Sequence, residues 1–525
     1  MLEEQILFDR RVKVYSKRPK NISEMLKECV SKYPEREAIV MGEFRQNYSE
    51  LGATVESLAA HLYVDFHVRK GERVAVLLNN CPEFLHITLA CARIGAIVVP
   101  LNNRLSHTEL SYMLRHSGTK LLFTEEKMKE VVKKVVKNEL SSMKIEIKYI
   151  NRQGEKGCTF VDLPFQQTIN YKMINETDPL FIMFTSGTTG TPKGAVGSHV
   201  GIIHSALNYK YVLKANEPVR TIIAVPLFHV TGLIGQFFYM LAVGGTSILL
   251  ERYQNESFIK TMEKEQATFL FNVPTIYVMM MTHPLFSKIT KSSIEVIAYG
   301  GAPMSYETIE QLRSHFPGVQ LHNAYGATET SSPTTIMPVE YPDEKLNSVG
   351  KPVPVADVKV INSKGAEVHE GEVGELYIKG PMVVEGYWRN PEAKANSFKD
   401  GYWKSGDMAK VDEHGFVYIM DRKKDIINRG GEKIYSVEVE NILYGHHSVL
   451  EAAVVGVPDQ LFGEQVKAYI VPKPHVSLDQ EDILLYLNEK LADYKIPKYI
   501  EFINELPRNP SGKILKSQLA ISKDK

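Results

Sequence analysis

The sequence predicts an α/β protein: a large N-terminal domain of two doubly wound sheets plus a small β-rich subdomain, followed by a small mobile α/β domain at the C-terminus. Three observations support this prediction. Apolar strands alternate with helices in two separate parts of the chain, a pattern typical of parallel sheets covered by helices. Short strands punctuated by Gly and Pro follow Val349. The 525 residues exceed what a single hydrophobic core usually holds.

In the first part of the chain, residues 1–20 are charged and are predicted to be irregular, and a helical pattern begins at Ile22. Apolar runs and helical spacing then alternate. The predicted elements are the strands 73–78, 96–100 and 120–123 and the helices 82–94 and 107–116. The charged stretch 125–144 is predicted to be the solvated face of a helix.

The alternation resumes after a glycine-rich loop and ends in a region of short strands. The predicted strands of this second part are 180–184, 221–226, 246–250, 268–272, 294–299, 358–361 and 374–378. The run Asp421–Asp425 breaks the apolar pattern. We therefore expect an N-terminal domain over 1–421, a hinge over 422–425 and a C-terminal lid domain over 426–525. The lid domain is predicted to contain strands 452–457 and 466–471 and helix 479–491.

Composition argues against two classes of function. The 62 basic and 62 acidic residues cancel, so bulk charge indicates neither a nucleic-acid partner nor a membrane surface. The four cysteines form no CxxC pair and are expected to be reduced thiols. The N-terminus is acidic, and no apolar run is long enough to span a membrane. These features predict a cytoplasmic protein without stable membrane insertion, and they leave a homodimer open.

The stretch from Thr185 to Gly194, TSGTTGTPKG, combines glycines and hydroxyls after an apolar strand and before 198–210, whose spacing predicts a helix. Glycines let backbone N–H groups converge on an anion, hydroxyls add donors, and a helix N-terminus favours negative charge. Lys193 adds a cation for a phosphate oxygen. We therefore predict a phosphate-binding loop. It is not a Walker A loop, because Pro192-Lys193-Gly194 stands where that motif needs Gly-Lys-Ser/Thr.

This loop resembles that of the adenylate-forming enzymes, a family that includes acyl-CoA synthetases, luciferases and nonribosomal adenylation domains. The resemblance extends motif by motif from roughly residue 30 to residue 520. It implies that the loop holds the phosphates of ATP and that Thr185 also belongs to the catalytic set. The residues to which it assigns the phosphates are Thr185, Ser186, Gly187, Thr188, Thr189 and Lys193.

The segment NAYGATE, residues 323–329, resembles the family's adenine and metal segment. The resemblance implies that Tyr325 stacks on adenine and that Asn323 lies near the adenine amino group. It also implies that Thr328 touches phosphate and that Glu329 binds Mg²⁺, which needs few carboxylates because phosphate oxygens complete its shell. Further residues of neighbouring turns are assigned to the nucleotide: Gly301, Ala302, Pro303 and Gly326.

Two later motifs complete the implied chemistry. The segment 402–407 resembles the one whose Asp binds both ribose hydroxyls, so Asp407 inherits that role, and Arg422 resembles an arginine that contacts ribose or phosphate. Ser511-Gly512-Lys513-Ile514 resembles the loop with the family's essential lysine. Lys513 would bridge the substrate carboxylate and the α-phosphate, where a positioned cation can lower the barrier by about 3–4 kcal/mol. The implied reaction joins a carboxylate to AMP and then to a thiol.

In this family the small domain rotates between the two half-reactions. Lys424 matches the hinge position, and the loop 428–433 matches the wall of the thiol tunnel. Gly431 suits that wall, because a side chain there would obstruct pantetheine or strain the turn. The cofactors and substrates implied are ATP, Mg²⁺, CoA and a small carboxylic acid.

His229 distinguishes the branches of the family and is assigned to the catalytic set. Amino-acid-activating members usually carry Asp at this position to pair with the substrate ammonium, which a neutral His cannot do and a charged His would repel. His229 instead resembles the gating aromatic of acyl-CoA synthetases and luciferases. The segments expected to line the acyl pocket, 229–235, 299–302 and 324–327, are mainly small or apolar.

This lining offers no cation for a second carboxylate, which disfavours a dicarboxylate such as malonate. We predict a medium- or long-chain fatty acid as substrate. Aryl acids of the benzoate or coumarate type remain an alternative, as does a stand-alone enzyme that loads an acyl carrier protein. A luciferase-like oxygenase would share the adenylation step. A degenerate nucleotide-binding relative would show damage at Lys193, Glu329, Asp407 or Lys513, and all four are present.

Overall fold

The protein is described here by a computed structural model that covers residues 1–151, 160, 169–185, 191–289, 293–302, 304–473, 476, 478–508 and 514–521, apart from the side chains of Asn138 and Ile521. The predicted fold class is confirmed: parallel sheets flanked by helices are followed by a β-rich unit and a small α/β unit. No helix in the described ranges is long and apolar enough to cross a membrane.

In the first part of the chain the helices and strands are β1 (Leu2–Leu7), β2 (Arg10–Tyr15), α1 (Ile22–Lys32), β3 (Glu37–Met41), β4 (Phe44–Asn47), α2 (Tyr48–Val64), β5 (Arg73–Leu77), α3 (Pro82–Ile94), β6 (Ile97–Pro100), α4 (His107–Ser117), β7 (Thr119–Glu125), α5 (Lys129–Glu139), β8 (Glu146–Ile150), β9 (Pro179–Thr185) and β10 (Lys193–Ser198).

In the middle of the chain they are α6 (His199–Leu213), β11 (Arg220–Ile223), a π-helix (Thr231–Phe238), α7 (Tyr239–Val243), β12 (Thr246–Leu249), α8 (Asn255–Lys264), β13 (Phe269–Asn272), α9 (Pro274–Met281), β14 (Val296–Gly300), α10 (Tyr306–His315), β15 (Gln320–Ala327), a 3₁₀ turn (Thr328–Thr330), β16 (Ser332–Ile336) and β17 (Lys351–Pro352).

In the last part they are β18 (Asp357–Ile361), β19 (Gly374–Lys379), α11 (Pro391–Ser397), β20 (Phe398–Lys399), β21 (Tyr402–Val411), β22 (Val417–Arg422), β23 (Ile427–Arg429), β24 (Glu432–Ile434), α12 (Ser436–Tyr444), β25 (Val449–Asp459), β26 (Gly463–Pro472), α13 (Gln480–Asn488), β27 (Tyr499–Phe502) and α14 (Lys516–Ile521).

Two large sheets form the body of the N-terminal part. The first has the strand order β10-β9-β6-β5-β7-β8, and only its edge strand β10 is antiparallel to its neighbour. The second has the order β17-β16-β15-β14-β13-β11-β12-β3-β4, and it is parallel from β15 to β3. The early pair β3–β4 therefore joins a sheet whose other strands come some 200 residues later, which local sequence patterns did not reveal.

Two smaller sheets follow. The antiparallel sheet β18-β19-β21-β20, with β22 paired to β21, is the predicted β-rich subdomain. The last sheet, β24-β23-β26-β25 with β27 beside β26, lies entirely after residue 426. Helices α12, α13 and α14 belong to the same part of the chain.

The prediction that residues 1–20 are irregular is wrong, because β1 and β2 form an antiparallel hairpin. Its core residues Val12 and Val14 pack with Val200 of α6. The Arg10 side chain, which is buried, donates to the carbonyls of Val383 and Val384 at 3.3 and 3.2 Å. This segment contains many charged residues. The alternation of apolar and charged residues in β2 is the sequence signal that could have identified the strand.

Other predicted elements agree with the structure to within a few residues at their ends. Helix α3 occupies the predicted 82–94, and Gly95 ends it in the left-handed conformation at φ 74°. Helix α5 buries Val132 and Val135 while Lys133, Lys134 and Lys137 are exposed, so the prediction of a solvated charged face is confirmed for this helix. Cys29, Cys81 and Cys91 are buried.

Helices α3 and α6 are buried around almost their whole circumference. This environment encloses polar side chains, among them His199 and His204 of α6. The Nδ1 atom of His199 accepts from the N–H of Ile22 at 3.2 Å, and Nε2 of His204 accepts from the N–H of Tyr15 at 3.3 Å. A ring nitrogen that accepts a backbone N–H must be unprotonated, so both rings are held in the neutral form.

Burial lowers the pKa of His199 to about 4 and that of His204 to about 3. An unfolded histidine titrates near 6.5, so between these values the unfolded chain binds more protons than the folded one. We therefore expect the contribution of these two histidines to the free energy of unfolding to be complete above about pH 6.5. It should fall as the pH is lowered toward 4, by up to about 1.4 kcal/mol per pH unit for each histidine.

Urea unfolding at pH 7.5, 6.0 and 5.0 measures this dependence. His204→Gln keeps a donor and an acceptor but removes the titration, so its slope should fall by about one histidine's share. His414→Gln is the matched control, because His414 is exposed. A slope that His204→Gln leaves unchanged would contradict the assignment of a buried neutral ring.

Candidate active site

The glycine-rich loop joins two antiparallel strands, which corrects the predicted strand–loop–helix arrangement. Thr185 ends β9 and pairs in register with Lys193, the first residue of β10. Helix α6 begins only after β10, with Ser198 as its N-cap. The helix N-terminus is therefore one strand away from the loop and does not contribute to an anion site there. The predicted phosphate binding at this loop would therefore depend on backbone N–H groups, hydroxyls and Lys193.

Part of the loop lies outside the described residues. Thr185 and Lys193 are the described residues at its two ends, and the Thr185 Oγ1 contacts the Lys193 carbonyl at 3.5 Å. The predicted phosphate-binding residues that fall outside are Ser186, Gly187, Thr188 and Thr189. Pro303 and Lys513 are also outside the described ranges, so their predicted roles stay predictions.

Three predicted nucleotide-binding residues meet in one cluster. The hydroxyl of Tyr325 donates to Oδ2 of Asp407 at 2.5 Å, and Nε of Arg422 lies 3.2 Å from Oδ1 of the same carboxylate. Asp407 and Arg422 are register partners on β21 and β22, whereas Tyr325 lies on β15 of the second large sheet. Burial, then the Asp407 carboxylate, raises the pKa of Tyr325 well above its usual range, which keeps its hydroxyl a donor.

Glu329 is the second buried carboxylate of the site. It lies in the 3₁₀ turn after β15 and is 9% exposed. Its Oε1 accepts from the hydroxyl of Tyr387 at 2.9 Å. Burial raises the pKa of Glu329, while hydrogen bonds and the nearby charges of Arg422 and Lys193 act in the opposite direction. Such a carboxylate favours a bound cation, because unpaired buried charge is unfavourable.

Tyr387 is the site residue that the sequence analysis missed. Its hydroxyl contacts Glu329, and its ring centroid lies 5.5 Å from Nζ of Lys193. The residue sits in a loop-like stretch between predicted strands, and a single Tyr there carries no signal without the fold. The adjacent Gly386 is the one local hint of a close backbone approach.

The other predicted nucleotide-binding residues of the segment 323–329 have different environments. Asn323 already makes a hydrogen bond within the protein, because its Nδ2 donates to the Ser348 carbonyl at 3.0 Å. Asn323 to Ala327 lie within strand β15, where a turn was predicted. Gly326 faces solvent, yet a Cβ on it would fall 1.8 Å from the Ser332 carbonyl oxygen, so only glycine fits. Thr328 is partly buried beside Glu329.

Gly301 and Ala302 follow β14 and are exposed. Gly301 has φ +80°, a conformation that L side chains rarely adopt. The preceding Gly300 is buried, and a Cβ on it would lie 2.3 Å from the Ala324 carbonyl oxygen. This close approach keeps β14 and β15 tightly paired next to the candidate site.

His229 follows β11 and is partly buried against the ring of Phe228, with centroids 4.7 Å apart. Its Nε2 has no hydrogen-bond partner among the described residues. Burial lowers the pKa of His229 to about 4, so the ring is neutral at physiological pH. A neutral aromatic ring at this position can pack on an uncharged acyl group.

Two predicted residues of the C-terminal part lie apart from this cluster. Lys424 is exposed in the turn between β22 and β23. Gly431 is exposed in the turn between β23 and β24 at φ +101°, and a Cβ on it would have no heavy atom within 4 Å. The contacts of its loop are local: the Gly431 N–H donates to Asn428, and the Gly430 N–H donates to the Phe462 carbonyl.

Two family models match the chain. One, described as AMP-binding enzyme, matches residues 26–388, and the other, described as AMP-binding enzyme C-terminal domain, matches residues 438–513. The segments they leave between them include Asp407 and Arg422.

Several known proteins and solved structures are similar to this chain over nearly its whole length. A feruloyl-CoA synthase of Amycolatopsis sp is 35% identical over 486 residues, 93% of this chain and 96% of that one. The long-chain-fatty-acid–CoA ligase of Bacillus subtilis (strain 168) is 33% identical over 534 residues, 95% of this chain and 94% of that one. The solved structure of o-succinylbenzoate CoA synthetase from Bacillus subtilis, in complex with an acyl-adenylate intermediate, has a TM-score of 0.83 at 31% identity and covers 97% of this chain and 99% of that one.

The cluster around Asp407 makes a direct prediction. Asp407→Asn preserves the shape of the side chain but removes the charge that pairs with Arg422 and accepts from a diol. We expect the Kd for ATP, measured by calorimetry, to rise roughly tenfold to a hundredfold, the value of a hydrogen bond to a charged group.

Asp412→Asn is the matched control, because it removes a carboxylate that follows β21 and pairs with Lys345 at 2.6 Å instead of with Tyr325 and Arg422. It should leave the Kd for ATP unchanged. Equal affinity of Asp407→Asn and the unaltered protein, with both still folded by thermal melting, would show that Asp407 does not bind the nucleotide.

Proposed function

The chain belongs to the AMP-binding enzyme family, in its acyl-CoA synthetase branch. From that premise we propose that it converts a carboxylic acid with a compact, uncharged acyl group, an aryl acid first of all, into its CoA thioester. It is an AMP-forming ATP-dependent acid–CoA ligase. ATP, CoA and a small carboxylic acid are the substrates of that family. The identity of the acid and the roles of individual residues are our proposals.

The reaction has two balanced steps. A carboxylate oxygen attacks the α-phosphorus of ATP, the bond to the β-phosphate oxygen breaks, and acyl-AMP and pyrophosphate form. The thiol of CoA then attacks the acyl carbon, the C–O bond to AMP breaks, and the thiol proton is released as the thioester and AMP form. The first step needs no general base, because the nucleophile is already an anion.

One observation carries this proposal: Tyr325, Asp407 and Arg422 converge beside Glu329 and Lys193, next to the end of the glycine-rich hairpin. A buried carboxylate such as that of Asp407 is a natural acceptor for the two hydroxyls of a ribose. The Tyr325 ring offers a face for adenine. The cation Lys193 at the end of this hairpin suits phosphates.

We propose the following nucleotide contacts from this arrangement. Asp407 and Arg422 hold ribose, Tyr325 and Asn323 hold adenine, and Thr328 reaches a phosphate. The loop residues Thr185, Ser186, Gly187, Thr188, Thr189 and Lys193 hold the phosphates, and Gly301, Ala302, Pro303 and Gly326 let the nucleotide approach the backbone.

Mg²⁺ fits this site through Glu329. Within the described ranges no three His, Cys, Asp or Glu side chains form a metal cage, so a single carboxylate would be the protein ligand. That number suits Mg²⁺, which is commonly held by one or two carboxylates together with substrate phosphates. Tyr387 occupies Oε1 of Glu329, which leaves Oε2 to face a cation. When bound, the ion would neutralise phosphate charge.

We propose that the lid domain begins after a hinge at 422–425, with Lys424 at the pivot. Lys513 would then reach the substrate carboxylate in one orientation, and Gly431 would line the path of CoA in the other. Lys424 and the loop that carries Gly431 are exposed, which supports a lid domain that can rotate and change its contacts with the N-terminal domain. A homodimer and a cytoplasmic location remain predictions.

The choice of acid follows from Phe271 on β13, which is 3% exposed. A Cβ on Gly235 would lie 2.9 Å from Cε1 of this ring, and a Cβ on Gly300 would lie 3.7 Å from its Cε2. The ring thus fills the space between two of the segments expected to line the acyl pocket. The hydroxyls of Tyr209 and Ser332, 2.8 Å from each other, close the same region beside Gly235.

A closed, aromatic end favours a short or flat acyl group over a long chain. We therefore place an aryl acid ahead of the fatty acid that the sequence alone predicted. His229 and Phe228 provide further aromatic surface at the start of the 229–235 segment. The feruloyl-CoA and long-chain relatives show that both classes of acid occur among similar chains, so the substrate must be measured.

A panel of acids tests the function. We expect benzoate or a hydroxycinnamate to drive exchange of pyrophosphate into ATP, and AMP to accumulate only when CoA is added. Lys513→Ala should reduce the exchange by about 10²-fold or more, because it removes the cation beside the developing phosphoryl charge. Dodecanoate and hexanoate are the aliphatic members of the panel, and succinate and an amino acid are the charged ones.

Preferential use of dodecanoate would restore the fatty-acid prediction. Exchange without a requirement for CoA, but with transfer to an acyl carrier protein, would identify the carrier-loading alternative. No exchange with any acid would reject the ligase reaction for this chain.

Phe271→Ala tests the pocket assignment. Removing the ring opens the space between Gly235 and Gly300, so the ratio of kcat/KM for dodecanoate to that for benzoate should rise about tenfold, since each buried methylene contributes about 0.8 kcal/mol. The variant should also lose about 3–5 kcal/mol of stability.

Leu270→Ala is the control, because Leu270 lies on the opposite face of β13 in a separate core cluster. It should lower stability by about 2–5 kcal/mol without altering the substrate ratio. The same ratio in both variants would place the acyl group elsewhere.

A further inference from the structure

The segment from Val383 to Trp388 runs beside the hairpin that carries the glycine-rich loop. The N–H of Trp388 donates to the Gly194 carbonyl at 2.7 Å, and the N–H of Val196 donates to the Gly386 carbonyl at 3.1 Å. Tyr387 and Ala195 form an antiparallel bridge between these two bonds. The backbone around Tyr387 is therefore fixed to β10.

The same segment also holds Glu329. The N–H of Val384 donates to the Glu329 carbonyl at 2.9 Å, and the Tyr387 hydroxyl donates to its side chain at 2.9 Å. Both the backbone and the carboxylate of Glu329 are thus tied to one short stretch of chain. A Glu side chain has three rotatable bonds, and a bond to its carboxylate restricts where its second oxygen can point.

Tyr387 contacts the cation of the site as well. Nζ of Lys193 lies 5.5 Å from the centroid of the Tyr387 ring, within the range of a cation–π interaction. Lys193 is the first residue of β10, two positions from the bridge between Ala195 and Tyr387. One side chain therefore touches the cation through its ring and the carboxylate through its hydroxyl.

We propose that Tyr387 is a positioning residue that fixes the carboxylate of Glu329 relative to Lys193, so that the metal-binding and phosphate-binding groups stay in register. The proposal rests on the proposed function, since it takes Glu329 as the Mg²⁺ ligand and Lys193 as the phosphate cation. Tyr387 itself touches neither the substrate nor the reacting atoms in this account. Its effect is on how well Mg²⁺ and the phosphates are bound together.

Two substitutions separate the two contacts. Tyr387→Phe keeps the ring beside Lys193 and removes only the bond to Glu329, whereas Tyr387→Leu removes both. Tyr418→Phe is the matched control, because the Tyr418 hydroxyl donates to the Asp412 carboxylate at 3.1 Å in the same β-rich sheet. A double-mutant cycle adds Glu329→Gln to Tyr387→Phe.

The first measurement is direct binding of ATP by calorimetry, in EDTA and then with saturating Mg²⁺. For Tyr387→Phe we expect unchanged affinity in EDTA and a loss of about tenfold in the tightening that Mg²⁺ provides. Tyr387→Leu should in addition weaken binding in EDTA, because Lys193 loses its support. Tyr418→Phe should match the unaltered protein in both conditions.

The second measurement is the Mg²⁺ concentration that half-saturates pyrophosphate exchange, which should rise about tenfold in Tyr387→Phe. The effects of Tyr387→Phe and Glu329→Gln on Mg²⁺-dependent binding should be less than additive, because both remove the same interaction. Rescue of the Tyr387→Phe exchange rate by high Mg²⁺ would support positioning of the metal ligand.

Three results would overturn the proposal: the same Mg²⁺ dependence in Tyr387→Phe as in the unaltered protein, equal weakening with and without Mg²⁺, or additive effects in the cycle. The binding readout keeps this test apart from the proposed function. If no acid supports exchange but Mg²⁺ still tightens ATP binding through Tyr387 and Glu329, the ligase reaction fails while the positioning role stands.

Discussion

A buried carboxylate is the constraint on which the candidate site depends. Asp407 is 6% exposed, and it is compensated by the Tyr325 hydroxyl from one sheet and by the Arg422 guanidinium from another. A buried charge without such partners would be strongly unfavourable. The second large sheet and the β-rich sheet therefore cannot separate at this point without exposing or stranding it. The position of the β-rich unit against the body of the protein is set partly by this requirement.

The second buried carboxylate, Glu329, is compensated less completely than Asp407. Glu329 is buried and accepts a hydrogen bond from one neutral donor, Tyr387. Positive charges lie nearby, but Glu329 forms no ion pair with the described residues. Asp407 is thus largely neutralised by protein groups, whereas Glu329 keeps an unmet preference for a cation. Two acids of the same charge, one contacted by Tyr325 of β15 and the other in the turn after β15, thus suit the different ligands proposed for them: a neutral diol for Asp407 and a metal ion for Glu329.

Much of this arrangement could be predicted from the sequence, because the signals were local. Apolar strands, the capped helix α3 and the glycine-rich loop are each encoded within about ten residues. The misassigned parts are those that depend on distant residues. The hairpin β1–β2 looked irregular because its charges face solvent on one side, and the strand β10 was missed because Lys193 to Ser198 is short and rich in glycine. Tyr387 acquires its meaning only from Glu329, 58 residues earlier in the chain.

The pairing of β3 with β12 has a consequence for how the chain is made. Ile39 and Val40 of β3 are buried against Ser247 and Ile248 of β12, some 200 residues further on. A ribosome that adds about 5–20 residues per second needs roughly 10–40 s to produce that partner. Until then the apolar strand β3 lacks the partner that covers its edge, and an unpaired edge is the kind of surface that other chains can join. The second sheet can therefore be completed only after most of its later strands have been synthesised, and until then the edge of β3 is open to aggregation.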